Sequence, residues 1–195
     1  MLMFLASRAW QGGLRRLNVL ASCALVCLMA MNAVADQDGA PEYRIKAAMV
    51  FKFLSYTQWP DSAFESAESP FRIWVLGSSP ISDELEAIIR GRLVNTRPVS
   101  LYEAETAADV TRPHVVFVSR DAERYLAGLS RITRRQPILI VTERDGGFEK
   151  SSTINLRLVE GRIGFDVSLP HAGETGLKLS SRLLSVASSV KREEP

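Results

Sequence analysis

Beyond residues 23 and 27 the chain has no cysteine, and its 195 residues include only two histidines, His114 and His171. Zinc sites draw clustered Cys and His ligands at short spacings, so two isolated histidines offer no metal centre. Glycine-rich nucleotide fingerprints are missing as well. There is no G-x-G-x-x-G, no G-x-x-x-x-G-K-[ST] and no G-x-S-x-G elbow, which argues against dinucleotide, P-loop and serine-hydrolase chemistry. His171 with Ser119 is the one hydrolase pairing the sequence leaves open, and a serine nucleophile needs such a base within hydrogen-bond reach. A phosphoacceptor receiver domain needs an acidic cluster after its first strand, where this chain has Gly77 and Ser78. No catalytic residue, metal or cofactor is expected, and the protein is not read as an enzyme.

Acidic residues are lacking in positions 1–35, which carry Arg8, Arg15 and Arg16, an apolar run over 17–31, and then Asn32-Ala33-Val34-Ala35. A basic stretch, a hydrophobic run and a small-x-small ending describe a secretory signal peptide, with cleavage expected between Ala35 and Asp36. The run falls short of the roughly 20 residues that a bilayer span needs. Leu20-Ala21-Ser22-Cys23 resembles a lipoprotein cleavage site, yet only four residues separate Arg16 from Ala21. That is too short for a hydrophobic region, and the match reads as accidental. Export implies the periplasm. Cleavage removes both cysteines and three arginines, leaving 21 basic against 22 acidic residues. The mature chain forms no disulfide, and its near-neutral balance gives no basis for nucleic-acid binding.

No repeat or linker divides residues 36–195, so they are read as a single domain. Pro41 and Glu42 suit a helix start, and a helix is predicted over 41–58, ending before Pro60. A strand follows at 71–76, closed by Gly77. A helix is expected over 82–90 with Ser82 as cap, and a short strand at 99–102. The β-branched run at 114–118 reads as a buried strand, Ser119 as the cap of a helix to residue 132, and 137–141 as another strand. After the turn expected at Asp145-Gly146-Gly147, alternation over 153–159 and 162–169 around Glu160-Gly161 predicts a β-hairpin. Leu179, Leu183, Ala187 and Val190 form a stripe at spacings near four, predicting a final helix over 173–190. The whole reads as an α/β fold: a three-layer α/β/α sandwich with a mostly parallel sheet and a C-terminal antiparallel β-hairpin as its edge.

Two regions stand out as candidate sites. In such sheets ligands bind beyond the carboxyl ends of the strands, which points to Gly77, Ser78, Ser79 and Ser119 as a possible pocket. The run at 77–79 is equally a tight turn with a helix cap. The first helix carries two apolar faces. Tyr43, Ala47, Val50, Phe51 and Leu54 form the face expected to dock on the sheet. Ile45, Met49, Phe53 and Tyr56 form a second, bordered by Lys46, Lys52 and Trp59. A second face needs its own cover, either from the chain itself or from a dimer or partner contact rich in aromatic and Met side chains.

Several segments, taken in order, resemble the YfiR-like family of periplasmic proteins. They are Tyr43 to Phe53 with Gln58-Trp59-Pro60, the strand at 71–77, Arg97-Pro98-Val99 and His114 to Ser119. The series continues with Pro137 to Thr142, Thr153-Ile154-Asn155-Leu156, Gly161 to Asp166 and Leu177 to Leu184. The resemblance implies a periplasmic regulator that binds the periplasmic sensor domain of an inner-membrane diguanylate cyclase and represses it. That would lower cyclic di-GMP and biofilm formation. It further implies an outer-membrane lipoprotein that can sequester the protein; a homodimer is expected from the second apolar face of the first helix rather than from the resemblance. An alternative is a periplasmic small-molecule-binding module working with a histidine kinase or another membrane receptor. The family's namesake carries paired cysteines; this mature chain has none, so disulfide control does not carry over.

Overall fold

The computed structural model describes residues 39–144 and 151–192, with side chains from residue 42 onward. The expected leader, its cleavage point and the turn at Asp145-Gly146-Gly147 lie outside the described residues. Helix α1 spans Gly39–Tyr56 and runs directly into the short strand β1, Thr57–Gln58. Then come β2 (Phe71–Leu76), α2 (Ile81–Ile89), β3 (Leu93–Val94), β4 (Arg97–Ala104) and β5 (Val115–Val118). A 3-10 turn at Arg120–Tyr125 leads into α3 (Leu126–Thr133), followed by β6 (Leu139–Thr142), β7 (Ile154–Val159) and β8 (Arg162–Ser168). The chain closes with α4 (Leu169–Glu174), β9 (Lys178–Leu179), α5 (Ser181–Ser185) and β10 (Ser189–Lys191).

Eight strands form one sheet in the order β10-β8-β7-β6-β5-β2-β4-β3. Strands β4, β2, β5, β6 and β7 run parallel, and β8 pairs antiparallel with β7. Alternate side chains sort to two cores, as the two-residue pleat demands. Ile73, Val75, Val115, Phe117, Leu139 and Val141 face α1 together with Leu85 of α2. Trp74, Leu76, Val116, Val118 and Ile140 face α3 through Leu126 and Leu129. Helices therefore cover both faces, and the three-layer α/β sandwich is as expected. Each fully buried Leu or Ile contributes about 1.5–3 kcal/mol over an exposed one.

The hairpin sits where the alternation places it, turning at Glu160 (φ 49°) and Gly161 (φ 76°), both left-handed as a type I′ turn requires. It is not the sheet edge, however, because β10 adds a parallel strand outside β8. The continuous helix expected over 173–190 is also corrected. Gly176 (φ 73°) ends α4 in a Schellman turn, its own N–H donating to Gly173 and that of Leu177 donating to Ala172 O at 3.0 Å. The four-residue stripe is nonetheless apolar for a reason: Leu179, Leu183, Ala187 and Val190 all pack on the α1-side core.

Candidate functional site

Sheet order reverses at β2, since the chain goes first to β4 on one side and then to β5 on the other. A crevice of about 740 Å³ opens beyond the carboxyl ends there, at the place where open α/β sheets hold ligands. Gly77, Ser78 and Ser79 line it, facing Glu103, Asp121 and Arg124. Ser119 lies just beneath, 1 % exposed.

The chain itself occupies the donors that could hold an anion there. Gly77 N–H donates to Ala104 O at 2.9 Å, and Ser78 N–H donates to Asp121 Oδ2 at 3.2 Å. The Ser119 hydroxyl donates to Leu76 O at 2.9 Å and makes a short contact with the Asp121 carboxylate. That Ser119 hydrogen bond, joined by the one from Ser78, holds the Asp121 carboxyl below the usual carboxylate range despite some desolvation. Asp121 thus fills the role an external anion would take, and Asp83, Glu103 and Glu105 add further negative charge to the lining. The crevice is an acidic recess, unsuited to phosphate. Asp121, the residue sequence reasoning passed over, was signalled only by its place two residues after a strand-end serine.

Gly77 is required by this packing. Its φ is +91°, and a Cβ would sit 2.6 Å from Ala122 Cβ and 2.8 Å from Asp121 Oδ1, closer still to Ser119 Oγ. Ser119 and His171 are not brought together. His171 lies in α4 and lines a separate cavity with Thr133, Arg134 and Glu174. Ser82 caps nothing: its buried hydroxyl is unpartnered, and α2 starts one residue earlier.

The second face of α1 is divided by the structure. Phe53 is 2 % exposed and packs edge-to-face on Phe165 at 5.1 Å, so it belongs to the core rather than to a surface. Lys46 is 1 % exposed, which corrects its reading as a border residue. Its Nζ lies 2.5 Å from Glu143 Oε2 and 2.5 Å from Glu42 Oε1, above the Tyr43 ring. Burial pulls the Lys46 pKa down, but the hydrogen bonds its ammonium donates to Glu143 and Glu42 outweigh this, so the pKa is raised and the group stays charged. Ile45 and Lys52 remain exposed, Met49 and Tyr56 half-buried against the core. Trp59 is also half-buried, 5.2 Å from Phe71 edge-to-face. The exposed remainder is therefore a narrow strip along Ile45 and Lys52.

His114 closes the opposite, amino-terminal end of the sheet. Its Nδ1 accepts from Arg72 N–H at 3.0 Å, its Nε2 meets Ala63 O at 3.1 Å, and Phe64 stacks on the ring at 4.6 Å. Burial pushes its pKa down to about 4.

The YfiR/HmsC-like family matches the chain over residues 43–188, which takes in α1 from Tyr43 onward and every central strand. The chain belongs to the YfiR/HmsC-like family. No curated protein matches it closely enough to name. The YfiR/HmsC-like match starts at Tyr43, beside the buried Lys46, and stops just before β10. Among the described residues, no helix is long and apolar enough to cross a membrane.

Proposed function

We propose that this YfiR/HmsC-like protein is a periplasmic regulator that binds the periplasmic domain of an inner-membrane diguanylate cyclase and represses it. The observation that carries the reading is the family match across 43–188, nearly the whole described fold. It acts by binding and not by turnover, and an outer-membrane lipoprotein that sequesters it would release the cyclase. A repressor of this kind works only by preferring one state of its target. Moving the target from mostly active to mostly inactive takes a preference of about 10⁴-fold for the inactive state.

The contact we assign is the exposed strip of α1, Ile45 and Lys52, with Met49 and Tyr56 at its base. Ile45 is 47 % exposed on an ordered helix, a large apolar side chain already presented to solvent. Deleting the gene should raise cellular cyclic di-GMP and surface attachment. Ile45→Asp with Lys52→Glu should weaken binding to the isolated cyclase domain at least about tenfold, roughly 1.4 kcal/mol, with unchanged thermal unfolding. Unaltered cyclic di-GMP in the deletion strain would refute the repressor role; unaltered binding by the double variant would refute the surface.

The crevice beyond β2 and β4 supports a second reading, a small-ligand sensor serving a histidine kinase or another membrane receptor. Its acidic lining selects a cationic ligand. A rise in melting temperature with such a compound, and none with the cyclase domain, would favour this reading over the first.

A further inference from the structure

Negative charge reaches the crevice beyond β2 from three elements. Asp83 lies in the first turn of α2, Glu103 and Glu105 stand around the end of β4, and Asp121 follows β5. Among the described residues, Asp83, Glu103 and Glu105 form no ion pair. Arg124 also lines the crevice, but its guanidinium is already engaged. It donates to Asp121 O and covers the Tyr125 ring at 4.6 Å. A second, independent feature belongs to the same lining. Ser82 is 9 % exposed, and its buried hydroxyl has no hydrogen-bond partner. A buried polar group left unpaired costs about 1–3 kcal/mol, so the partner this hydroxyl lacks must come from outside the chain.

We infer that the crevice takes a linear di- or polyamine, its ammonium groups met by carboxylates on both flanks of β2 and by the Ser82 hydroxyl. The inference rests on the small-ligand reading of this site and names the ligand class. Topology fixes how the charge is spread. Leu76 pairs with Ala104 on one side and with Val118 on the other. The ends of β4 and β5 therefore stand two strand spacings apart, about 9.5 Å. Glu103 and Glu105 sit on one flank of Gly77, and Asp121 on the other. Such a span suits several charges strung along one flexible chain better than a single ion. In keeping with this, no group of His, Cys, Asp or Glu among the described residues could hold a metal ion. Each ammonium carries N–H donors only, ionised carboxylates only accept, and the Ser82 oxygen accepts as well. The volume of about 740 Å³ falls within the range of small-molecule sites, about 300–1,000 Å³.

The test titrates the protein secreted to the periplasm with spermidine in a calorimeter. It is run at about 0.15 M salt, where charges more than about 8 Å apart are screened. Magnesium ion and a neutral diol of similar length serve as controls. The expected result is one spermidine per chain, with both controls at least about tenfold weaker. Glu103→Gln with Glu105→Gln should weaken spermidine at least about tenfold and leave the thermal unfolding of the free protein unchanged. Ser82→Ala should separate two readouts that a merely structural role would move together. The free protein should unfold no earlier than the parent, because an unpaired hydroxyl is gone, while spermidine affinity falls several-fold. Absence of spermidine binding, magnesium binding of equal strength, or full affinity in either variant would each overturn the inference. If the double variant does not fold, Ser82→Ala decides. A different compound that raises the melting temperature of the parent but not of the double variant overturns the polyamine class and leaves the sensor reading standing. Spermidine that binds without altering signalling by the receptor does the reverse.

Discussion

Gly77 ties the turn after β2 to the crevice floor, and its replacement tests both at once. Its φ of +91° strains any L side chain, and the new Cβ would collide with Ser119 and Ala122. Gly77→Ala should lower unfolding free energy by about 3 kcal/mol, combining backbone strain with overpacking. A denaturant midpoint equal to that of the parent would contradict the tight approach of β2 to the 3-10 turn. Lys46 poses a second question of the same size. Glu143, 2 % exposed, depends on it for its countercharge. Lys46→Met should therefore cost about 3–5 kcal/mol, and Lys46→Met with Glu143→Leu should recover most of it, since the uncompensated buried charge is the main penalty. Equal losses in the single and double variants would show that the pair itself is stabilising.

Among the elements, the hairpin joining β3 to β4 is built against local preference. Asn95 (φ 49°) and Thr96 (φ 69°) both occupy left-handed backbone, and Thr96 is β-branched. Thr96→Gly should raise stability by about 1 kcal/mol and sharpen the turn, as read by thermal unfolding. Stability lower than the parent's would mean that the Thr96 hydroxyl, which donates to Asn95 O at 2.5 Å, matters more than the strain. The C-terminal elements show the opposite relation. Leu179, Leu183, Ala187 and Val190 bury as a helical stripe would, yet they do so from a strand, a short helix, a turn and an edge strand. Periodicity reports burial; Gly176, at φ 73°, decided that the backbone could not remain helical.

For the molecule as a whole, the two histidines set an acid limit. Burial pushes His114 down to about 4 and lowers His171 as well. Both folded values lie below the unfolded value, so the unfolded chain takes up protons first. Stability is then complete above about pH 6.5 and falls as pH drops toward 4, by up to about 1.4 kcal/mol per pH unit for His114, with His171 acting in the same direction. Protonated His114 would also lose the hydrogen bond its Nδ1 accepts from Arg72 N–H. His114→Gln should flatten this dependence in urea titrations between pH 4 and 6.5. An undiminished slope would place the titration elsewhere.

Much of the architecture was legible in the chain alone. Compact apolar strands and the Glu160-Gly161 turn depend on neighbours in sequence, and pleat and turn chemistry act over a few residues. The Gly77–Ser79 end of β2 was legible for the same reason. What α1 shows to solvent was not. Lys46 looked like a border cation because its partner Glu143 stands 97 positions away, and Phe53 looked free because Phe165 is equally remote. Asp121 filling the crevice, and the carboxylates gathered around it, likewise exist only once strands distant in the chain lie side by side. Long-range pairing settles which charges are neutralised and which are left open, and that is information the tertiary structure alone holds.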